Sequence, residues 1–220
     1  IKKDITNMAG SMIVVSSSFN MISDEIRNAY NPFESCASAQ MLIKNERSDE
    51  MILSVSRRTD IPNYYSEWFY NRIKEGFLYV RNPMNAHQIS EIKITPDVVD
   101  CIVFWTKNPL PMIKRLNEIK DYNYYFQFTL TGYGNDVEVN LPNKKTEMIP
   151  VFQELSEKIG KQKVIWRYDP IFFSDRYTKE YHLKAFKSIA EALSGYTEKC
   201  VISFVDIYPK NKKKYGWIVK

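Results

Sequence analysis

No run of apolar residues in this 220-residue sequence approaches the roughly 18 needed to cross a bilayer. The stretch MIVVSSSF (Met12 to Phe19) follows Lys2 and Lys3, as the core of a signal peptide would. It is short and serine-rich, and no small-residue cleavage site follows it, so it reads as a buried strand-like piece. Cysteine is scarce: Cys36, Cys101 and Cys200 stand far apart, with no Cys-x-x-Cys pair and no zinc or cluster spacing. That excludes a disulfide framework and points to a reducing, cytoplasmic compartment. Cys101 and Cys200 open apolar runs and read as small buried hydrophobes. Only two histidines occur, His87 and His182, not paired at metal-ligating spacing. His182 falls on a predicted helix beside Tyr181, which suits surface or packing roles, and no metal site is expected. Phosphate-loop, dinucleotide-binding and nucleophile-elbow patterns are all missing, and the short GYG at 132–134 reads as a turn.

Aromatic residues are plentiful, with 15 Tyr, 12 Phe and 4 Trp. They favour strands and line pockets with polar tips. The net charge of +5 is concentrated at one end, because Lys210, Lys212, Lys213, Lys214 and Lys220 account for all of it. The body of the chain is neutral, which argues against a nucleic-acid-binding domain; the tail reads as solvated.

Residues 1–50 are rich in Ser, Asn and Met and show no sustained period. SDEIRNAY (Ser23 to Tyr30) has a cap for a short helix that NPFES then ends. This segment is expected to be an appendage, followed by an α/β domain over 51–208 and a lysine-rich tail over 209–220. From Met51 six strand-like runs follow: ILSVS (52–56), FLYVR (77–81), CIVFWT (101–106), YYFQFTLT (124–131), KVIWRY (163–168) and CVISFVD (200–206). Near-continuous apolar runs suit parallel strands covered on both faces. Helical periods lie between them. Tyr65, Trp68, Phe69 and Ile73 share one face in 64–76, and Met112, Leu116 and Ile119 share one in 111–122. Met148, Phe152, Leu155 and Ile159 do so in 144–160. Thr178 caps a helix carrying Tyr181, Ala185, Phe186, Ile189 and Leu193, which stops at Gly195. Segment 82–100 reads as loop with a short strand or turn. The alternation predicts a parallel-sheet, incomplete (β/α) barrel of about six strands; an open doubly wound sheet fits as well.

Each strand turns polar at its C-terminal end. Arg57, Arg58 and Asp60 follow the first, Arg81 and Asn82 the second, Lys107 and Asn108 the third. Gln127 and Thr129 lie on the fourth, Arg167 and Asp169 end the fifth, and Ser203 and Asp206 the sixth. Ligands bind at that end in both candidate folds. The cations, with Asn82, Asn108, Gln127, Thr129 and Ser203, form a candidate site for an anionic small molecule, since arginine forks grip carboxylates and phosphates. Asp60, Asp169 and Asp206 are the candidate catalytic acids, able to take protons or orient the arginines. A simpler alternative stays open: arginine and aspartate at strand ends also pair with one another to close a rim.

Taken in order, SRRTDIP, VRNP, VDCIVFWTKNP, YYFQFTLTGYG, VIWRYDPI and VISFVD resemble a bacterial family, domain of unknown function 1848, over about residues 51–208. The resemblance implies an α/β barrel-like fold. It also implies a link to radical S-adenosylmethionine enzymes, because longer members end in a cysteine cluster like the one that holds a [4Fe–4S] cluster. This sequence carries no Cys-x-x-x-Cys-x-x-Cys, and KNKKKYGWIVK stands where the family continues. The expectation is therefore a truncated or frame-shifted member with an unrelated N-terminal addition. No cofactor is assignable to the chain itself; the cluster and S-adenosylmethionine belong to full-length relatives. About six strands of the roughly eight a barrel needs would leave open edges, marginal stability and a tendency to self-associate.

Overall fold

The computed structural model describes residues 12–15, 51–55, 59–81, 85 and 87–205, with 12–15 as backbone only. The expected helix at Ser23 to Tyr30, Cys36 and the lysine tail lie outside these residues. In chain order the elements are β1 (Met12–Val15), β2 (Ile52–Val55), α1 (Ile61–Tyr64), α2 (Ser66–Glu75), β3 (Phe77–Arg81), β4 (Ile89–Lys93), β5 (Cys101–Thr106), α3 (Leu110–Ile113), β6 (Tyr124–Thr129), α4 (Ile149–Ile159), β7 (Val164–Ile171), α5 (Lys179–Ala192) and β8 (Lys199–Phe204). The chain divides into two units, Ala29–Phe126 and Ile1–Asn28 with Gln127–Lys220. No helix among the described residues is long and apolar enough to cross a membrane.

In the Ala29–Phe126 unit, β2 runs parallel to β5, with Ile52 opposite Cys101 and Val55 opposite Phe104. Phe104 stacks on Phe126 at 4.7 Å and meets Phe69 of α2 edge-on at 5.3 Å. Fully burying one such ring stabilises the fold by about 1.5–3 kcal/mol. Helix α2 ends at Gly76, whose φ of +79° suits glycine, and a Cβ there would come within 2.9 Å of the Thr95 methyl.

Three expectations change in this unit. FLYVR is a strand, but it lies outside the parallel sheet: β3 pairs antiparallel with β4, Phe77 opposite Lys93 and Arg81 opposite Ile89. The connection between them is too short for the crossover that parallel neighbours require. On α2 the buried pair is Phe69 and Tyr70, whereas Tyr65 and Trp68 are exposed. Residues 111–122 do not form one helix. α3 gives way to a 3₁₀ turn at Leu116–Ile119, tightened by Arg115 N–H to Met112 O and Glu118 N–H to Arg115 O. Met112, Leu116 and Ile119 are nonetheless buried as their spacing foretold.

In the other unit the strand order is β1-β8-β7-β6. β1 pairs parallel with β8, Met12 opposite Lys199 and Val15 opposite Ile202. β7 pairs parallel with β8 through Trp166 opposite Cys200 and Tyr168 opposite Ile202, with an irregularity before Ile171. The chain beyond β6 continues beside β7: Leu130 N–H donates to Arg167 O at 2.9 Å, and Trp166 Nε1 donates to Leu130 O at 2.8 Å. Trp166 stacks on Phe186 of α5 at 4.7 Å, and Phe128 packs on Phe152 of α4 at 5.0 Å. Asn143 caps the turn leading into α4, and Thr178 caps α5.

The expectation that strands are covered on both faces fails for β7. Val164, Trp166 and Tyr168 are buried, while Ile165, Arg167 and Asp169 between them are only half-buried. This strand therefore has a helix-packed apolar face and a second face that carries charge. The fold is mixed α/β with parallel strands and one small antiparallel sheet; a closed barrel is not seen among the described residues.

Candidate functional site

On the second face of β7, Arg167 and Asp169 are two residues apart and point to the same side. Arg167 Nη2 donates to Asp169 Oδ2, and the Ser203 hydroxyl of β8 donates to Asp169 Oδ1. Arg167 Nη1 also donates to Gln127 Oε1 of β6 at 3.4 Å. The order of the three strands accounts for this convergence. β7 lies between β6 and β8, so its middle residues reach both neighbours. Gln127 is buried, and the Arg167 and Asp169 side chains are 16% and 15% exposed. The set is thus held by the sheet and still reachable from solvent.

The chain after Asp169 is fixed by an aromatic bracket. The Tyr133 hydroxyl donates to Pro170 O at 2.9 Å and accepts from Phe172 N–H at 2.9 Å, and its ring stacks on Phe172 at 4.6 Å. Burial raises the Tyr133 phenol above its ordinary range, so it stays protonated and keeps donating. Gly134 N–H donates to the Tyr177 hydroxyl, which in turn donates to Asp136 Oδ1. Lys144 closes the base of this loop by donating to Thr131 Oγ1, Tyr133 O and the buried Glu138 carboxylate, which also accepts from Thr131. Under the bracket, His182 is buried, not on the surface. Its Nε2 faces Phe172 O at 3.0 Å and its Nδ1 faces the Tyr168 hydroxyl at 2.9 Å. A carbonyl only accepts, so Nε2 carries the proton and Nδ1 accepts from Tyr168. This is the packing role that the sequence offered as one of its alternatives.

A second polar cluster lies in the Ala29–Phe126 unit. Asp60 Oδ1 accepts from Asn63 N–H at 3.0 Å and from the Thr106 hydroxyl at 2.7 Å, and Oδ2 accepts from Lys107 N–H at 2.7 Å. Burial raises the Asp60 carboxyl above its ordinary range, and these three donors pull against that rise. Asn108 Nδ2 donates to Asn63 Oδ1 at 3.0 Å. Asp60 thereby fastens the start of α1 to the end of β5.

The structure thus brings Gln127, Arg167, Asp169 and Ser203 together, and separately Asp60, Lys107 and Asn108. Thr129 lies on β6, and Arg81 is the exposed last residue of β3. Arg57, Arg58, Asn82 and Asp206 lie outside the described residues. Sequence reading noted Thr131 only as a polar strand-end residue and Tyr133 only as part of a turn, and it missed Glu138, Lys144 and Tyr177. An aromatic between two glycines just behind the run YYFQFTLT is the signal that would have drawn notice to Tyr133. A buried glutamate in a polar loop left none. Cys101 is the first residue of β5 and Cys200 the second of β8. Both are buried, at the opposite end of their strand from its polar end, and burial pushes the Cys200 thiol up. Among the described residues no group of His, Cys, Asp and Glu is arranged to hold a metal ion.

Parallel strands alternating with helices, with ionic and amide side chains gathered on neighbouring strands, define an α/β protein with a candidate polar site on its sheet. The chain belongs to the family described as Domain of unknown function (DUF1848), whose profile matches residues 52–218. No curated protein and no solved structure gives a significant match.

Proposed function

We propose that this protein binds a small anionic molecule at the C-terminal part of its parallel strands, with Arg167 as the binding cation. Gln127, Asp169 and Ser203 position Arg167 and complete the site. The observation that carries this reading is the convergence of four polar side chains from three adjacent strands, with Gln127 and Asp169 holding the Arg167 guanidinium and Ser203 holding Asp169. A planar fork held at a fixed angle by flanking acceptors is pre-organised for a carboxylate or phosphate. Asp169, beside that fork, is placed to serve as proton acceptor if the bound molecule is also transformed. Asp60, whose three hydrogen bonds fasten α1 to β5, is given a structural role.

The parallel strands suit the incomplete (β/α) barrel expected of the family. The link to iron–sulfur radical enzymes stays what the resemblance implies, and no residue of this site is assigned a role in it.

The test is calorimetric titration of the purified chain with propionate and with inorganic phosphate, repeated on Arg167→Ala. Saturable binding of either anion that disappears in the variant is expected. Binding that survives Arg167→Ala, or no saturable binding of any carboxylate, overturns the reading.

A further inference from the structure

Arg167 does not face an incoming ligand alone. Its guanidinium donates to Asp169, so the four-residue set carries one positive and one negative charge and is neutral as a whole. Ser203 adds a hydroxyl hydrogen bond to the same carboxylate, and Gln127 an amide to the same guanidinium. Asp169 thus accepts from two donors, the Arg167 guanidinium and the Ser203 hydroxyl.

We infer that the ligand at this site is dipolar: an α-amino acid group, whose carboxylate meets Arg167 and whose ammonium meets Asp169. The inference rests on the anion-site reading above and narrows it. A ligand with only a negative charge would bring that charge against Asp169 in a place that is largely shielded from water. Like charges set side by side there repel strongly. A phosphate, with more charge than a carboxylate, is disfavoured further. A dipolar group adds no net charge. Its two ends are joined through a single carbon, so they can lie antiparallel to an ion pair whose own ends are in contact. Each end then meets an opposite charge, and discrimination comes as much from the repulsion of simple anions as from the new contacts.

Three probes on one carbon skeleton separate the possibilities: alanine, propionate, which lacks the ammonium, and ethylamine, which lacks the carboxylate. Binding is read by ligand-observed saturation-transfer NMR on the whole chain. Alanine is expected to bind at least about tenfold more tightly than propionate, a gap of about 1.4 kcal/mol, and ethylamine not at all. In Asp169→Asn, which keeps the shape and removes the charge, alanine should fall to the level of propionate. Equal binding of alanine and propionate by the unmodified chain, abolished by Arg167→Ala, overturns the dipolar ligand and leaves the anion reading standing. Absence of binding by both, or indifference of both to Arg167→Ala, overturns the two together. The comparison within the unmodified chain decides the matter even if a variant fails to fold.

Discussion

The Tyr168 hydroxyl lies 2.9 Å from Nδ1 of His182, and both groups are buried. Burial lowers the proton affinity of the imidazole below its ordinary value of 6.5, against the opposing pull of the Phe172 carbonyl. The unfolded chain takes up that proton near 6.5, the folded chain only at lower pH. Stability is therefore complete above that value and falls as the pH drops towards the folded-state value. Urea unfolding at about pH 7.5 and about pH 5.5 should show the loss. In His182→Phe the same pH change should cost measurably less. An unchanged pH slope in that variant would remove His182 as the cause.

Gly132 has no room for a side chain. A Cβ there would come within 2.7 Å of the Ala185 methyl and 2.8 Å of the Tyr168 hydroxyl. Neither is the loose end of a flexible side chain, and Tyr168 cannot retreat without leaving His182. Gly132→Ala should destabilise the fold by about 1–3 kcal/mol, read as a shift of the urea midpoint with an unchanged slope.

Glu138 and Lys144 form a pair whose side chains are 5% and 20% exposed. Lys144→Met strips the cation from a buried carboxylate and should cost about 3 kcal/mol. Adding Glu138→Gln removes the buried charge and should recover much of that loss. The double-mutant cycle in urea checks this, and additive losses would refute it.

Asp60→Asn places an amide where two oxygens now accept, so an N–H group must face either the Thr106 hydroxyl or the Lys107 N–H. A loss of about 1–3 kcal/mol is expected, with Thr106→Val showing a smaller loss. If Asp60→Asn leaves the urea midpoint unmoved, the carboxylate does not fasten α1 to β5.

The strands were legible because burial writes itself into composition: CIVFWT and VIWRY are apolar enough to name themselves. Their partners were not. Nothing in FLYVR tells whether it pairs with a parallel neighbour or with ISEIK, the short strand that the irregular segment 82–100 allowed but did not locate. The aromatic spacing of α2 misled for a related reason. Tyr65, Trp68, Phe69 and Tyr70 are all plausible core residues, and only the packing partner Phe104 selects Phe69. In the candidate site, Arg167 and Asp169 could be read from their spacing along one strand. The bond from Ser203 could not, since it depends on which strand lies alongside and in what register. The Glu138–Lys144 pair was illegible because a loop has no period by which to foresee burial.

The alternation along β7 ties two fates together. Trp166 and Tyr168 fill the core on one side of the strand, and Arg167 and Asp169 occupy the other. Deleting a single residue upstream within β7 would exchange the sides, driving an ion pair into the aromatic packing and turning two large rings outwards. This strand can therefore lengthen or shorten at its ends, but not within, without moving positions 167 and 169 off the polar face.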